Sequence, residues 1–188
     1  MGLWFNKTLC DDLYRFEGER SLSLKMRLRY VFFVPGFTYV FFFRHTAQSK
    51  NKVMRAFWAS LLQITKYITH IQIPAVVKIG NGFRISHFGS IVINPNVQIG
   101  KNFNISQGCL IGNSLGRRGG VPIIGDNVCM NANSTIVGGC HIGNNVLIAP
   151  GAFINYDVPD NSIVIGNPGK IIPCDSSPTV KYIPFPVD

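Results

Sequence analysis

Hydrophobic residues occupy 46% of the 188 positions and charged residues only 14%, so the chain can bury a substantial core, which excludes a disordered protein. Its formal charge of +9 is concentrated in residues 1–70, which hold eleven Lys or Arg against four Asp or Glu, nine of the fourteen Phe and both Trp. Because the basic residues there are interleaved with bulky apolar side chains and form no Lys/Arg stripe, we expect no nucleic-acid partner.

Residues 1–70 are expected to form a basic, aromatic and helical N-terminal region. The strongest helical pattern covers residues 51–68, in which apolar residues recur at spacings of three and four. Asn51 is a suitable N-cap for this helix. The segments 7–20 and 36–45 are weaker helix candidates. The apolar positions of the main pattern are Val53, Phe57, Leu61, Ile64 and Ile68.

An apolar run of fourteen residues, YVFFVPGFTYVFFF, covers residues 30–43 and is interrupted by Pro35-Gly36. It is shorter than the roughly 20 residues that a membrane-spanning helix needs. The N-terminus also lacks the basic region and cleavage site of a signal peptide, so we expect a cytoplasmic protein. The run predicts either a buried helical hairpin or an aromatic, basic surface that makes a peripheral contact with anionic lipid. In the second case the basic residues facing the lipid would be Arg27, Arg29, Arg44 and Lys52.

Residues 71–172 repeat with a period of six, which fits neither an amphipathic helix nor an alternating strand. The period is typical of a parallel β-helix, in which short strands stack and an aliphatic column fills the interior. We place a two-residue slip after Val97 and an interruption after Ile111. The predicted fold is therefore mainly β, a β-helix with an α-helical N-terminal region. The hexad markers are Ile73, Ile79, Ile85, Ile91, Val97, Ile99, Ile105, Ile111, Ile124, Met130, Ile136, Ile142, Ile148 and Ile154.

Two segments depart from the period. Residues 112–123, GNSLGRRGGVPI, contain four glycines and cannot continue a rung of the β-helix. They predict either a plain surface loop or a mobile flap over a binding groove, in which Arg117 and Arg118 meet phosphates or an acidic acceptor. Residues 173–188 show no period and are expected to form an extended tail.

The segments KIGNGFRISHFGSIVIN (78–94), ISQGCLIGN (105–113) and IGNPGKII (165–172) resemble the hexapeptide-repeat acyltransferases. Within that family they are most similar to serine-acetyltransferase-like O-acetyltransferases of polysaccharide biosynthesis. The resemblance implies a left-handed parallel β-helix over residues 71–172 and acetyl-CoA as co-substrate. It also implies homotrimers with active sites between neighbouring subunits, and it leaves open whether two trimers pair.

His87 is the candidate catalytic residue. It follows the marker Ile85 by two places, and its small neighbours Ser86 and Gly89 leave room for a ligand. An imidazole, with a pKa of about 6.5, can accept the proton of a hydroxyl group that attacks a thioester. The position also matches the general base of the resembled family, whereas the alternative is an ordinary surface histidine. His141 immediately precedes its own marker, so we expect it on another face and expect no metal requirement.

The resemblance also implies where acetyl-CoA binds. Its pantetheine arm would lie in a groove between subunits, where small residues leave space and a backbone N–H stabilises the thioester oxyanion. A lysine in the C-terminal signature would contact the nucleotide phosphates. The alternative is that these are ordinary corner residues of the β-helix. The acetyl-CoA-binding candidates are Gly112, Asn113, Ala132, Gly138, Ala149 and Lys170.

Departures from the serine acetyltransferases bear on the acceptor. Gln72 replaces an Asp fifteen residues before the histidine, Ser86 replaces the Asp just before it, and Gly120-Val121-Pro122 replace an Arg-His-Pro. The groups that would bind a zwitterion are therefore missing, which favours a neutral hydroxyl of a carbohydrate, a surface polysaccharide precursor. Serine O-acetylation and a non-catalytic β-helical scaffold are the alternatives. The acceptor-binding candidates are Gln72, Ser86, Asn94 and Gln107.

Overall fold

The computed structural model describes residues 4–19, 23–116 and 118–188, so the predicted flap residue Arg117 lies outside the described residues. Asn51 caps the fourth helix as predicted, because its side chain accepts hydrogen bonds from two backbone N–H groups of the first turn. None of the described helices is both long and apolar enough to cross a membrane. The helices are α1 (Lys7–Glu17), α2 (Leu24–Phe33), α3 (Pro35–Gln48) and α4 (Lys52–Thr69).

The apolar run 30–43 spans the end of α2, a turn at Val34 and most of α3. Its α3 half is buried: Phe37 and Phe41 pack with Trp58 of α4 in an aromatic cluster. Its α2 half differs, since Phe32 and Phe33 are 67% and 78% exposed. The burial expected of a helical hairpin therefore holds for α3, whereas the end of α2 presents exposed aromatic side chains, whose contact with lipid stays a prediction.

Residues 78–173 form a β-helix of short strands in three sheets. The first sheet has the order β1-β4-β7-β10, the second β14-β13-β11-β8-β5-β2 and the third β12-β9-β6-β3. Every named pair is parallel except β13 with β14. One passage through the three sheets makes one coil, and corresponding strands of successive coils stack. The described strands are β1 (Lys78–Ile79), β2 (Arg84–Ile85), β3 (Val92–Ile93), β4 (Gln98–Ile99), β5 (Asn104–Ile105), β6 (Leu110–Gly112), β7 (Ile123–Ile124), β8 (Cys129–Met130), β9 (Thr135–Val137), β10 (His141–Ile142), β11 (Leu147–Ile148), β12 (Phe153–Ile154), β13 (Ser162–Ile165) and β14 (Lys170–Pro173).

The strand register confirms the six-residue period but corrects the position of the slip. Ile93 pairs with Ile111 across β3 and β6, so Ile93 and not Ile91 is the marker that follows Ile85. Ile91 and Val97 are buried, but they lie two places before a marker, in the second column of interior residues. The two extra residues therefore lie between Ile85 and Ile93 and not after Val97. This moves the irregularity to the corner that contains the candidate histidine.

A buried ion pair joins the helices to the first coil. Arg44 of α3 donates to the carboxylate of Asp12 over 2.7 and 3.1 Å and to the carbonyl oxygens of Ile79 and Gly80 over 2.7 Å. The same carboxylate accepts the N–H of Phe83. Burial raises the pKa of Asp12, and the positive charge of Arg44 opposes that shift. The prediction that Arg44 faces an anionic surface is wrong, because its guanidinium is buried and makes its ion pair and hydrogen bonds inside the protein.

The C-terminal tail has neither a helix nor a strand after Pro173, as expected, but it does not extend away from the body. The backbone of Val187 exchanges two hydrogen bonds with the side chain of Asn102, at 2.8 and 2.9 Å. Asn104 donates to the carbonyl oxygen of Tyr182 over 2.7 Å. Two tail side chains, Ile183 and Val187, are only 4% exposed. The tail therefore covers the outer face of the second sheet.

Candidate functional site

His87 lies on a two-residue bulge at the corner between the second and third sheets. On one side of the bulge the N–H of Ser86 donates to the facing strand β5 over 2.9 Å, and on the other Gly89 accepts the N–H of Gly108 over 2.9 Å. These bonds align the first coil with the second and leave His87 and Phe88 as the two extra residues. Both side chains are exposed. The insertion therefore projects the imidazole out of an otherwise regular stack.

The residues around the bulge leave the imidazole ring unrestrained within one chain. No hydrogen bond reaches the ring of His87 from residues 4–19, 23–116 or 118–188. Ser86 is half-buried and Gln107 is exposed at the same corner, so these two predicted acceptor residues lie beside the bulge. Gln72 lies above Val92 at the start of the third sheet and is exposed. Its amide makes no hydrogen bond to the imidazole of His87, so that ring is available to a ligand or a neighbouring subunit.

A cavity of about 620 Å³ separates α4 from the third sheet and contains four of the candidate residues. Gln72 and Asn94 line it from the first coil, and Gly112 and Asn113 line it from the end of β6. His87 is not among its lining residues. The acceptor candidates thus divide between the bulge and the cavity. On the helical side the cavity is lined by Tyr39, Thr46, Ala59, Leu62, Gln63 and Lys66.

Tyr39 forms the floor of this cavity without adding charge to it. Its hydroxyl donates to the carbonyl oxygen of Ile73 and accepts the N–H of the same residue, each over 3.0 Å. Burial raises the pKa of Tyr39 to about 12, so the phenol stays neutral at physiological pH. The side chain therefore fixes α3 against the start of the β-helix.

The remaining acetyl-CoA candidates lie in three different places. Ala132 and Ala149 are half-buried at the corner below the bulge, in the third and fourth coils. Gly138 lies at the opposite edge of the third sheet, where its N–H donates to Gly112 over 3.2 Å. Lys170 is exposed on β14, which pairs antiparallel with β13. An extended ligand along the outside of the third sheet would contact Ala132 and Ala149 at one edge and Gly138 at the other. Lys170 lies on the second sheet, away from that path.

The loop between β6 and β7 is tied down in the described residues. Ser114 and Gly120 exchange two backbone hydrogen bonds of 3.1 Å, and the carbonyl oxygen of Arg118 accepts the N–H of Gly139 over 3.0 Å. The Arg118 guanidinium lies 3.5 Å from the carboxylate of Asp157 in an exposed ion pair. The predicted flap arginine therefore contacts the start of the fifth coil, which follows β12.

Other reactive groups are separated from the bulge. His141 is exposed on β10 in the first sheet, so it does not share a face with His87, as predicted. Cys129 and Cys140 are buried, and burial raises the pKa of each thiol to about 11. No group of three metal-ligating side chains occurs in the described part of the chain. Among these histidines and cysteines, only the His87 imidazole is both exposed and placed on an irregularity of the fold.

Comparison with known proteins agrees with this architecture. The family model of the bacterial transferase hexapeptide (six repeats) matches residues 122–155. The chain is 36% identical over 127 residues to the colanic acid biosynthesis acetyltransferase WcaB of Escherichia coli K12, covering 65% of this chain and 78% of that protein.

Solved structures show the same fold. A serine acetyltransferase from Neisseria gonorrhoeae matches with a TM-score of 0.74 and 25% identity, over 95% of this chain and 69% of that one. A serine acetyltransferase in complex with CoA matches with a TM-score of 0.70 and 21% identity, over 88% of this chain and 68% of that one. The chain belongs to the hexapeptide-repeat acetyltransferases, and its body is the left-handed parallel β-helix of that family.

Proposed function

We propose that this acetyltransferase moves the acetyl group of acetyl-CoA to a hydroxyl group of a carbohydrate, a precursor of a surface polysaccharide. The observation that carries the proposal is the chemistry of the cavity beside α4. Amide side chains line it, among them Gln72, Asn94 and Asn113, and none of the described lining residues is a carboxylate. Amides bind hydroxyl groups well, whereas the ammonium group of serine would find no anionic partner. The WcaB relative, named for colanic acid biosynthesis, supports the same assignment.

In the proposed reaction the acceptor extends from the cavity to the bulge, where an imidazole nitrogen of His87 accepts the proton of its hydroxyl while the hydroxyl oxygen bonds to the thioester carbon. The resulting oxyanion needs a donor, and the backbone near Gly112 and Asn113 is our candidate for it. Collapse of the tetrahedral intermediate breaks the carbon–sulfur bond. The departing CoA thiolate then takes the proton from the imidazolium, so the enzyme returns to its starting state.

We propose further that the active unit is a homotrimer. The exposed His87 ring has no hydrogen-bond partner in the described part of its own chain, and an efficient base needs one to fix its orientation. A neighbouring β-helix packed against this corner would supply that group and enclose the pantetheine arm. The acetyl-CoA assignment is supported by the structural neighbour solved with CoA.

Serine O-acetylation is the second candidate function, favoured by the match to the Neisseria gonorrhoeae serine acetyltransferase. Release of the CoA thiol from acetyl-CoA separates the two, with L-serine or a panel of monosaccharides and sugar phosphates as sole acceptors. We expect saturable release with a carbohydrate and only background hydrolysis with serine. Saturable turnover of serine would contradict the carbohydrate assignment. No release with any acceptor, together with no thermal protection by acetyl-CoA, would indicate a scaffold.

We also propose that the side of α2 makes a peripheral contact with an anionic membrane. Lys25 and Arg29 are exposed on α2 beside its apolar side chains, an arrangement typical of helices that lie in the lipid interface. Co-sedimentation with phosphatidylglycerol vesicles should fall when both are replaced by Gln, and it should fall with added salt. Binding that both changes leave intact would contradict this contact. The exposed apolar residues here are Trp4, Leu24, Leu28, Phe32 and Phe33.

A further inference from the structure

The cavity between α4 and the third sheet has an unbalanced charge. Lys66 is the one charged residue among its lining residues in the described chain. It is half-buried in the last turn of α4, three residues after Gln63, so both side chains project from the same face of the helix. No ion pair or hydrogen bond links its ammonium group to any of the described residues. The cavity therefore offers one uncompensated positive charge among neutral amides.

Lys66 could instead have a purely structural role, because a positive charge in the last turn stabilises the C-terminal end of a helix such as α4. That role requires no cavity, and it is satisfied by an exposed side chain. The side chain of Lys66 instead lines a cavity of about 620 Å³, and a cavity of that size suits a small-molecule ligand. Because none of the described wall residues is acidic and Tyr39 stays neutral, an anionic ligand group is the natural complement to Lys66.

We infer that the acceptor carries an oxyanion, which Lys66 binds while the surrounding amides bind its hydroxyl groups. This inference rests on the proposed carbohydrate O-acetylation and narrows its substrate class. The oxyanion has two possible sources, the carboxylate of an acidic sugar and the phosphate of a sugar linked to a nucleotide or a lipid carrier. Both present charged oxygens to an ammonium donor, so the experiment must separate them.

The experiment measures kcat/KM for acetylation of glucose, glucuronate and glucose 1-phosphate by the wild-type enzyme and by Lys66→Gln, Lys66→Arg and Lys50→Gln. Lys50 is exposed just before α4 and lines no part of the cavity, so it is the matched control. The quantity compared is the ratio of kcat/KM for the anionic acceptor to kcat/KM for the neutral acceptor. A change in folding stability alone does not alter this ratio. We expect the wild type to prefer one anionic acceptor at least tenfold, in line with charge-assisted hydrogen bonds.

Lys66→Gln should reduce that preference at least tenfold, whereas Lys66→Arg and Lys50→Gln should retain it. The preferred anionic acceptor identifies the source of the oxyanion. An equal ratio in Lys66→Gln and the wild type would overturn the inference while leaving carbohydrate acetylation in place, and so would a wild type without anionic preference.

A binding measurement covers the case in which no sugar is acetylated and the proposed function itself fails. Isothermal titration with glucose 1-phosphate and with glucuronate then decides the inference alone. An affinity for either ligand that Lys66→Gln weakens tenfold, and that Lys50→Gln does not, supports the oxyanion site. Affinity that is unchanged in Lys66→Gln, or no binding of either ligand to the wild type, overturns it.

Discussion

Replacing Asp12 with Ala is expected to weaken the attachment of the helices to the β-helix. The change leaves the buried guanidinium of Arg44 without its carboxylate and the N–H of Phe83 without its acceptor. Removing one partner of a buried ion pair costs about 3–5 kcal/mol. The matched control is Asp157→Ala, which breaks the exposed pair with Arg118 and the exposed hydrogen bond from the N–H of His141 and should cost about 2 kcal/mol or less.

Urea unfolding followed by circular dichroism measures both variants, at one protomer concentration because an oligomer's stability depends on it. The double variant Asp12→Leu with Arg44→Met removes both charges, so it should regain part of the lost free energy of unfolding. If Asp12→Ala loses no more free energy than Asp157→Ala, the buried pair is not what joins the two parts of the fold.

Two further predictions concern the β-helix itself. Burial raises the pKa of Cys129 to about 11, so its thiol stays protonated at pH 8. Mass spectrometry should therefore find Cys129 unmodified by iodoacetamide at a time when the half-buried Cys174 has already reacted. Equal alkylation of the two would contradict the burial of that side chain. Gly108→Ala should destabilise the fold more than Gly151→Ala. Both glycines have a φ near +70°, which costs Ala about 1–2 kcal/mol, but only at Gly108 would the new Cβ collide with a neighbour, the side chain of Asn133. Equal losses in urea unfolding would contradict the predicted coil alignment.

The six-residue period was enough to predict the β-helix, but not the register around the bulge. Ile91 and Val97 are aliphatic and buried, so spacing alone does not distinguish them from markers such as Ile93. Only the pairing of Ile93 with Ile111 decides between the two registers. The sequence therefore identified the candidate histidine without revealing that it lies on the insertion.

Long-range contacts explain the other differences. Arg44 flanks an apolar run and reads locally as a surface charge, but its partner Asp12 lies 32 residues away. The tail packs through Ile183 and Val187, and the four-residue spacing of these two aliphatic residues is the sequence feature that indicates a packed tail. Lys66 was missed because helical periodicity places it beside the apolar face of α4. The cavity that makes it a candidate arises only when α4 lies across the third sheet.

The most direct measurement of the catalytic assignment is the turnover of His87→Ala with acetyl-CoA and the carbohydrate acceptor that the wild type prefers. General-base catalysis predicts that His87→Ala lowers kcat by about 10²-fold or more, with an unchanged melting temperature and oligomeric state. His141→Ala, an exposed histidine on another sheet, serves as the control and should retain wild-type turnover. Turnover of His87→Ala equal to that of the wild type would contradict the assignment of His87 as the base.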